Sequence, residues 1–218
     1  MRVGSWLCGR CGLEVLHGQF TCIICEQVRA RGSTCAACRD QTSLTGAVSI
    51  GPYGSPLLRR GVHWLKFRGV RACAQPLAAL LSARAAAIAP LTVLRKNGVL
   101  VPIPLHKRRA RERGFNQSEE LARYLSQMTG IPLWRALQRR RATWTQSKLP
   151  ALLRADNVAR AFTVTAPLPD IRWWLLIDDV TTSGATLSAA GEALLSAVPD
   201  GQPGTRQPEI WGVTVARG

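Results

Sequence analysis

Acidic side chains are scarce in this chain of 218 residues. It has 13 Asp and Glu residues against 29 Lys and Arg residues, which gives a formal net charge of +16 at neutral pH. An excess of this size favours a polyanionic partner, such as nucleic acid, a phosphate compound or an anionic membrane surface. Arginine bias in a GC-rich genome would produce the same excess, so charge alone leaves the partner open.

Long apolar segments are also missing. No apolar run reaches the roughly 18 residues that a membrane-spanning helix requires. The first residues lack the apolar stretch of about 7–15 residues that marks a signal peptide. We therefore expect no membrane span and a cytoplasmic location. A hydrophobic content of 46% supports a core, and the length suits one ordinary domain with a small appendage.

Six of the seven cysteines form Cys-x-x-Cys pairs near the N-terminus: Cys8/Cys11, Cys22/Cys25 and Cys35/Cys38. Two such pairs complete a tetrahedral Zn²⁺ site, and the metal would supply the folding energy of so small a segment. The spacing predicts a zinc-binding module over residues 1–42. Which four cysteines bind, and whether His17 takes part, stays open. An iron–sulfur site and a redox-active pair are the alternatives.

An apolar run, Trp173–Ile177, ends in two adjacent carboxylates, Asp178 and Asp179, followed by a small hydroxylic loop and a helical pattern. Such a run predicts a buried parallel strand whose carboxyl end opens into the ligand crevice of an α/β sheet. The helix start suits a phosphate, and Gly184 allows close backbone approach. The carboxylates suit sugar hydroxyls, Mg²⁺ or both. A capped helix beside two solvated aspartates is the alternative.

Other local signals suggest alternating helices and strands. Proline at a first helical position, glycine at helix ends and prolines after an apolar run supply the boundaries. The patterns predict a helix from Pro56 to Gly69, a helical segment over 70–88, a strand Gly98–Val101, a helix capped by Asn116 or Ser118 that runs to Gly130, a short strand Ala161–Val164, a helix Ala185–Ala197 and a closing strand Ile210–Val215.

Several of these segments together resemble the ComF family. The resemblance rests on the cysteine pairs and on four further blocks in the family's order: Lys66-Phe67-Arg68-Gly69, Val101–Leu105, Arg113-Gly114-Phe115-Asn116-Gln117 and Asp178–Thr186. It implies a type I phosphoribosyltransferase fold, a parallel twisted sheet flanked by helices, over residues 43–218, with an N-terminal zinc finger. It also implies a role in natural transformation, on the cytoplasmic side of DNA uptake.

The acidic strand end resembles the phosphoribosyl-pyrophosphate (PRPP) motif of type I phosphoribosyltransferases, with Thr182-Ser183-Gly184 where that motif usually has Thr-Thr-Gly. The resemblance implies that Asp178 and Asp179 hold the ribose hydroxyls. The loop would hold the 5-phosphate through Thr181, Thr182, Ser183, Gly184, Ala185 and Thr186. Three cations, Lys66, Arg109 and Arg113, would face the pyrophosphate together with Mg²⁺ and stabilise its developing charge.

Two functions follow as hypotheses. One is a Mg²⁺-dependent transferase that moves a phosphoribosyl group from PRPP to an unidentified acceptor. The other is a non-catalytic competence factor that binds single-stranded DNA, favoured by arginines around Trp144 in the polar segment 135–160. The same segment suits a mobile lid, and the basic run 107–113 suits a solvated surface as well as an anion site. A third possibility is that the zinc module docks a helicase or another uptake protein.

Overall fold

Four strands pair into a parallel sheet at the centre of the computed structural model, which describes residues 18–140, 161–198 and 208–218. The sheet has the order β1-β6-β5-β2. Its strands are β1 (Gly46–Pro52), β2 (Gly98–Pro102), β5 (Trp173–Thr181) and β6 (Glu209–Arg217). A separate antiparallel pair joins β3 (Leu137–Arg139) to β4 (Phe162–Val164). All four central strands therefore end at the same edge, called here the carboxyl edge.

Helices connect these strands, with short 3-10 turns at Ala30–Gly32, Ala36–Gln41 and Arg71–Cys73. They are α1 (Pro56–Phe67), α2 (Ala74–Ala85), α3 (Leu91–Asn97), α4 (Lys107–Arg113), α5 (Gln117–Thr129) and α6 (Ala185–Leu195). Pro56 occupies the first turn of α1, where its missing N–H costs nothing. The Asn116 side chain caps α5 by accepting a hydrogen bond from the backbone N–H of Ser118 at 3.2 Å.

The two faces of the sheet are covered by different elements. Successive strand residues point to opposite faces, so Leu175 and Ile177 of β5 pack into a core formed with α1, α2 and α5. Trp174 and Leu176 pack into a second core with α6, β3 and β4, which also contains Ile23 of the cysteine-rich segment. The result is a three-layer α/β fold.

The connections that follow β2 and β5 lie on opposite faces of the sheet, and the region between the carboxyl ends of these two strands is called here the crevice. The chain leaves β2 towards α5 on one face and leaves β5 through α6 on the other. Neighbouring strands whose connections diverge in this way leave a gap at their carboxyl ends, where α/β proteins bind ligands. Asp178 and Asp179 lie at this point of β5.

Most of the expected elements are confirmed, with several differences in extent. The helix after Pro56, the strand at Gly98 and the helix capped by Asn116 are present. β5 continues past the acidic pair to Thr181, because β6 is long enough to pair with it that far. The sequence patterns missed β1, β3, α3 and α4, and the helix over 70–88 is shorter, Ala74–Ala85. No helix in the described ranges is long and apolar enough to cross a membrane.

Candidate functional site

The two adjacent aspartates of β5 have different partners. Asp179 is 7% exposed, and its Oδ1 lies 2.8 Å from Nζ of Lys66 in the last turn of α1. The Oδ1 atom of Asp178 accepts hydrogen bonds from the Ser118 hydroxyl and from the backbone N–H of Asp179, both at 2.9 Å. The pair therefore consists of one ion-paired carboxylate and one hydrogen-bonded carboxyl group.

The environment of Asp178 makes its charge sensitive to pH. Burial of the carboxyl group, together with the charge of Asp179, raises its pKa from 3.8 to about 7. Hydrogen bonds from Ser118 and from the Asp179 N–H, and the charge of Lys66, act in the opposite direction. A bound cation would favour the ionised form, so this carboxyl group suits a site that binds a cation near neutral pH.

The loop after β5 has the expected hydroxyl groups and glycine. Thr182 and Ser183 are exposed, whereas Thr181 is buried at the strand end. Gly184 has a left-handed φ of 75° and stands at the N-cap of α6, where it offers no side chain to the first helical N–H groups. Ala185 and Thr186 form the first turn of that helix. Such a helix start favours an anion through its N–H groups and dipole.

A second loop lies beside the first because β2 and β5 are neighbours. The N–H of Ile103, just after β2, donates to the Ile177 carbonyl at 2.9 Å. The Asn116 amide then donates to the Ile103 carbonyl at 3.0 Å. The Arg-Gly-Phe-Asn-Gln block is thereby fixed against the crevice, which places Ser118, the residue after the block, against Asp178.

The predicted cations lie at different depths. Arg113 donates to Oε1 of the buried Gln117 at 3.0 Å and lies over the Phe67 ring at 5.6 Å. Arg109 is exposed on α4. Burial lowers the pKa of Arg139 on β3, while the charge of Asp178 raises it and that of Arg109 lowers it further. Arg139 therefore interacts electrostatically with both the acidic pair and α4.

Ser118 and Arg139 interact with Asp178, and the sequence patterns did not predict either interaction. Ser118 was expected only as a possible helix cap, and Arg139 only as part of a basic segment. The position of Ser118 directly after the family-specific block was an available signal. Arg139 had none, because β3 is a three-residue strand without an apolar pattern.

The cysteine-rich segment forms a compact sulfur cluster. Cys22, Cys25, Cys35 and Cys38 have Sγ atoms that all lie within 4.8 Å of one another, and Cys25 and Cys35 approach to 3.6 Å. In a tetrahedral site with Zn–S bonds of about 2.3 Å, sulfur atoms lie about 3.8 Å apart. The cluster thus fits a metal ion such as zinc. Cys8, Cys11 and His17 lie outside the described residues.

The cysteines of this cluster differ in their pKa values. Burial raises the pKa of Cys22, but hydrogen bonds from the backbone of Cys25, Cys35 and Ile24 bring it down to about 6. The hydrogen bond with Cys35 raises the pKa of Cys38 to about 12, and burial adds to the increase. Four adjacent thiolates repel one another, so all four can ionise together only around a positive ion.

Comparison with known proteins agrees with the sequence motifs. No protein-family model matches the chain. The DNA utilization protein YhgH of Escherichia coli strain K12 is 32% identical over 196 residues, covering 89% of this chain and 80% of the relative. Competence protein F of Haemophilus influenzae is 28% identical, with coverages of 96% and 84%. Competence protein ComFC of Bacillus subtilis is 30% identical, with coverages of 89% and 73%. At this identity and coverage, the chain belongs to the ComF family.

Proposed function

We propose that this protein binds a sugar phosphate of the PRPP type, with Mg²⁺, at the carboxyl end of β5. The observation that carries the proposal is the position of Asp178 and Asp179 between diverging connections, separated by two residues from an exposed hydroxylic loop that opens α6. Carboxylates and a phosphate cradle at this spacing match the two ends of a phosphorylated pentose.

Each part of the site then has a role. The acidic pair accepts hydrogen bonds from the ribose 2- and 3-hydroxyls, and the loop Thr182–Gly184 surrounds the 5-phosphate. Lys66, Arg109 and Arg113 face the pyrophosphate, and we add Arg139 to this cationic group. Mg²⁺, when bound with the sugar phosphate, would neutralise charge on the pyrophosphate oxygens.

The same arrangement would support pentosyl transfer. The bond between C1 of the ribose and the pyrophosphate oxygen breaks, the pyrophosphate leaves with that electron pair, and a nucleophile on the acceptor forms a new bond to C1. Fixed cations stabilise the charge that accumulates on the leaving oxygen. The protein's part is to hold C1 open to the acceptor and to exclude water.

The relatives suggest where this chemistry operates. They are named for DNA utilization and for competence, so we propose that this protein acts in DNA uptake, on incoming single-stranded DNA. The chain's net charge of +16 is compatible with such a partner.

Calorimetry tests the sugar-phosphate proposal. Titration of PRPP with MgCl₂ into the protein should show binding, and Asp178→Asn and Asp179→Asn should each weaken it at least tenfold. Asp170→Asn, which changes an exposed aspartate in the loop before β5, is the matched control and should bind as the unchanged protein does. Equal binding by all the variants would remove the acidic pair from the site.

A second candidate function is direct binding of single-stranded DNA. Phe67 is 66% exposed next to Lys66, and Arg113 lies over its ring at 5.6 Å. Arg71 lies over Phe115 at 4.8 Å in the same region. Aromatic rings beside arginines suit stacked bases and their phosphates. Log affinity should fall with log salt by about 0.7 per phosphate neutralised, and Phe67→Ala should weaken binding where Met128→Ala, another exposed apolar residue, should not.

A further inference from the structure

Arg217, the last residue of β6, binds the segment Cys22–Cys25, called here the knuckle. Its guanidinium donates to the carbonyls of Cys22 at 3.0 Å and Ile23 at 3.1 Å, and to the Thr21 hydroxyl at 2.6 Å. It also lies 3.2 Å from the exposed Glu26 carboxylate. A guanidinium fork meets two successive carbonyls only where the backbone folds around it. Arg217 therefore binds the knuckle in its folded form.

The backbone of the same residue is paired with Thr181, just before the Thr182–Gly184 loop, called here the anion loop. Arg217 pairs with Thr181 across β6 and β5, and the N–H of Gly218 donates to the Thr181 carbonyl at 3.0 Å. Thr181 directly precedes the Thr182–Gly184 loop. One residue thus connects the knuckle to the strand end from which that loop begins.

Ile23 makes a second connection from the knuckle. It is 2% exposed, and a Cβ atom added to Gly184 would lie 2.7 Å from its Cγ1. Gly184 is the N-cap of α6 and has a φ of 75°. Ile23 lies between Cys22 and Cys25 of the cluster, so the position of its side chain against Gly184 depends on the geometry of that cluster.

We propose that the cysteine knuckle forms one wall of the anion loop, with Ile23 and Arg217 as positioning residues. Metal binding at the four cysteines and anion binding at Thr182–Gly184 are then energetically coupled. A knuckle this small takes its folding energy from the metal, and loss of the metal would free Ile23 and the carbonyls that Arg217 binds. This inference rests on the proposed sugar-phosphate site, because it states how the metal would regulate binding at that site.

Coupling of this kind is reciprocal. If zinc improves the affinity for a sugar phosphate by some factor, the sugar phosphate improves the affinity for zinc by the same factor. A purely structural knuckle, required for folding but independent of the loop, would show no such effect in a folded protein. Reciprocity therefore separates positioning from simple stabilisation.

The experiment uses the full chain and two readouts. Calorimetry measures the affinity for ribose 5-phosphate, and competition with a chromogenic chelator measures the affinity for zinc with and without that ligand. Arg217→Ala should weaken ribose 5-phosphate binding roughly tenfold, within the usual range of coupling, and Ile23→Ala should do the same. Arg172→Ala, at the opposite end of the β5–β6 pair, and Val28→Ala, exposed in the same module, are matched controls.

Hydrogen exchange gives the readout that needs no ligand. Amides of residues 181–187 should exchange faster in Arg217→Ala and after zinc removal, while those of β2 stay protected. Faster exchange in β2 as well would indicate global unfolding. In that case Arg217→Lys, which keeps the charge but loses the guanidinium fork, would be tested instead, again by comparing exchange over residues 181–187 with exchange in β2. Unchanged exchange over 181–187 in a folded, zinc-free protein overturns the proposal.

The two proposals fail in different ways. If the unchanged protein binds neither PRPP nor ribose 5-phosphate, the sugar-phosphate proposal fails, and exchange over 181–187 still decides whether the knuckle holds the loop. If ribose 5-phosphate binds but zinc affinity is the same with and without it, the coupling is refuted and the sugar-phosphate site stands.

Discussion

Lys66 Nζ and Asp179 Oδ1 are 2.8 Å apart and join the end of α1 to the carboxyl end of β5. The lysine side chain is 21% exposed and the aspartate side chain 9%. Asp179 is held by this ion pair, whereas burial and the charge of Asp179 raise the pKa of the neighbouring Asp178 to about 7. The two acids are therefore not equivalent, although they are adjacent and identical.

Removing this ion pair should be costly. Lys66→Met leaves Asp179 buried without its counter-ion, so we expect the free energy of unfolding to fall by about 3 kcal/mol. Lys66→Met combined with Asp179→Asn should be more stable than Lys66→Met alone, because no buried charge is left unpaired. Urea denaturation measures both. Lys96→Met, on the exposed side of α3, is the control. An equal loss of unfolding free energy in that variant would contradict a stabilising role for the Lys66–Asp179 ion pair.

The raised pKa of Asp178 predicts a specific pH dependence of stability. Its folded-state pKa of about 7 lies above the ordinary 3.8, so the folded protein binds this proton more tightly than the unfolded chain does. Stability from this group is present at low pH and is lost as pH rises through about 7. Asp178→Asn should therefore lose less stability between pH 5 and pH 8 than the unchanged protein, as measured by urea denaturation, and Asp170→Asn should behave as the unchanged protein.

Ser118 should tune the pH dependence of binding. Its hydroxyl lowers the pKa of Asp178, so Ser118→Ala should raise it and shift the midpoint of PRPP and Mg²⁺ binding to higher pH. Ser126 lies on the same helix and donates to the Ile131 carbonyl at 2.7 Å. Ser126→Ala should cost similar stability without moving the midpoint. Equal shifts in both variants would mean that the effect is structural only.

Gly184 should tolerate substitution less well than a glycine of similar backbone conformation. A Cβ there would meet Ile23 at 2.7 Å in addition to the strained φ of 75°, so Gly184→Ala should cost about 2–4 kcal/mol. Gly69 has a φ of 62° with nothing within 4 Å of the added Cβ, so Gly69→Ala should cost about 1 kcal/mol. Thermal unfolding compares them, and equal costs would contradict close packing of Ile23 on the loop.

The sulfur cluster predicts a metal stoichiometry. The protein should contain one zinc ion per chain at the four clustered cysteines, and Cys22→Ser with Cys38→Ser should abolish it. Cys73 is buried in the core at 3% exposure, so Cys73→Ser should keep the metal. Elemental analysis of the purified full-length variants measures this directly. Retention of zinc by the double variant would place the metal elsewhere.

Local patterns were sufficient where neighbouring residues decide the structure. The apolar run before Asp178, the glycine at 184 and the cap at Asn116 correctly predicted a strand, a turn and a helix start. β1 was missed because Gly46, Ser49 and Pro52 interrupt its apolar pattern. α4 was missed because seven largely charged residues have no apolar face to reveal a helix.

The sequence by itself determined the order strand, acidic pair, loop and helix, the cysteine spacing and the family. It proposed Lys66 as a ligand of pyrophosphate, but did not predict that Lys66 would pair with Asp179. Only the tertiary structure decided that Ser118 meets Asp178 across 60 residues and that Arg217 meets Cys22 across 195. The physical reason is that such contacts depend on strand order and on which face each connection covers. Many distant segments compete for those positions, and no short stretch of sequence specifies them.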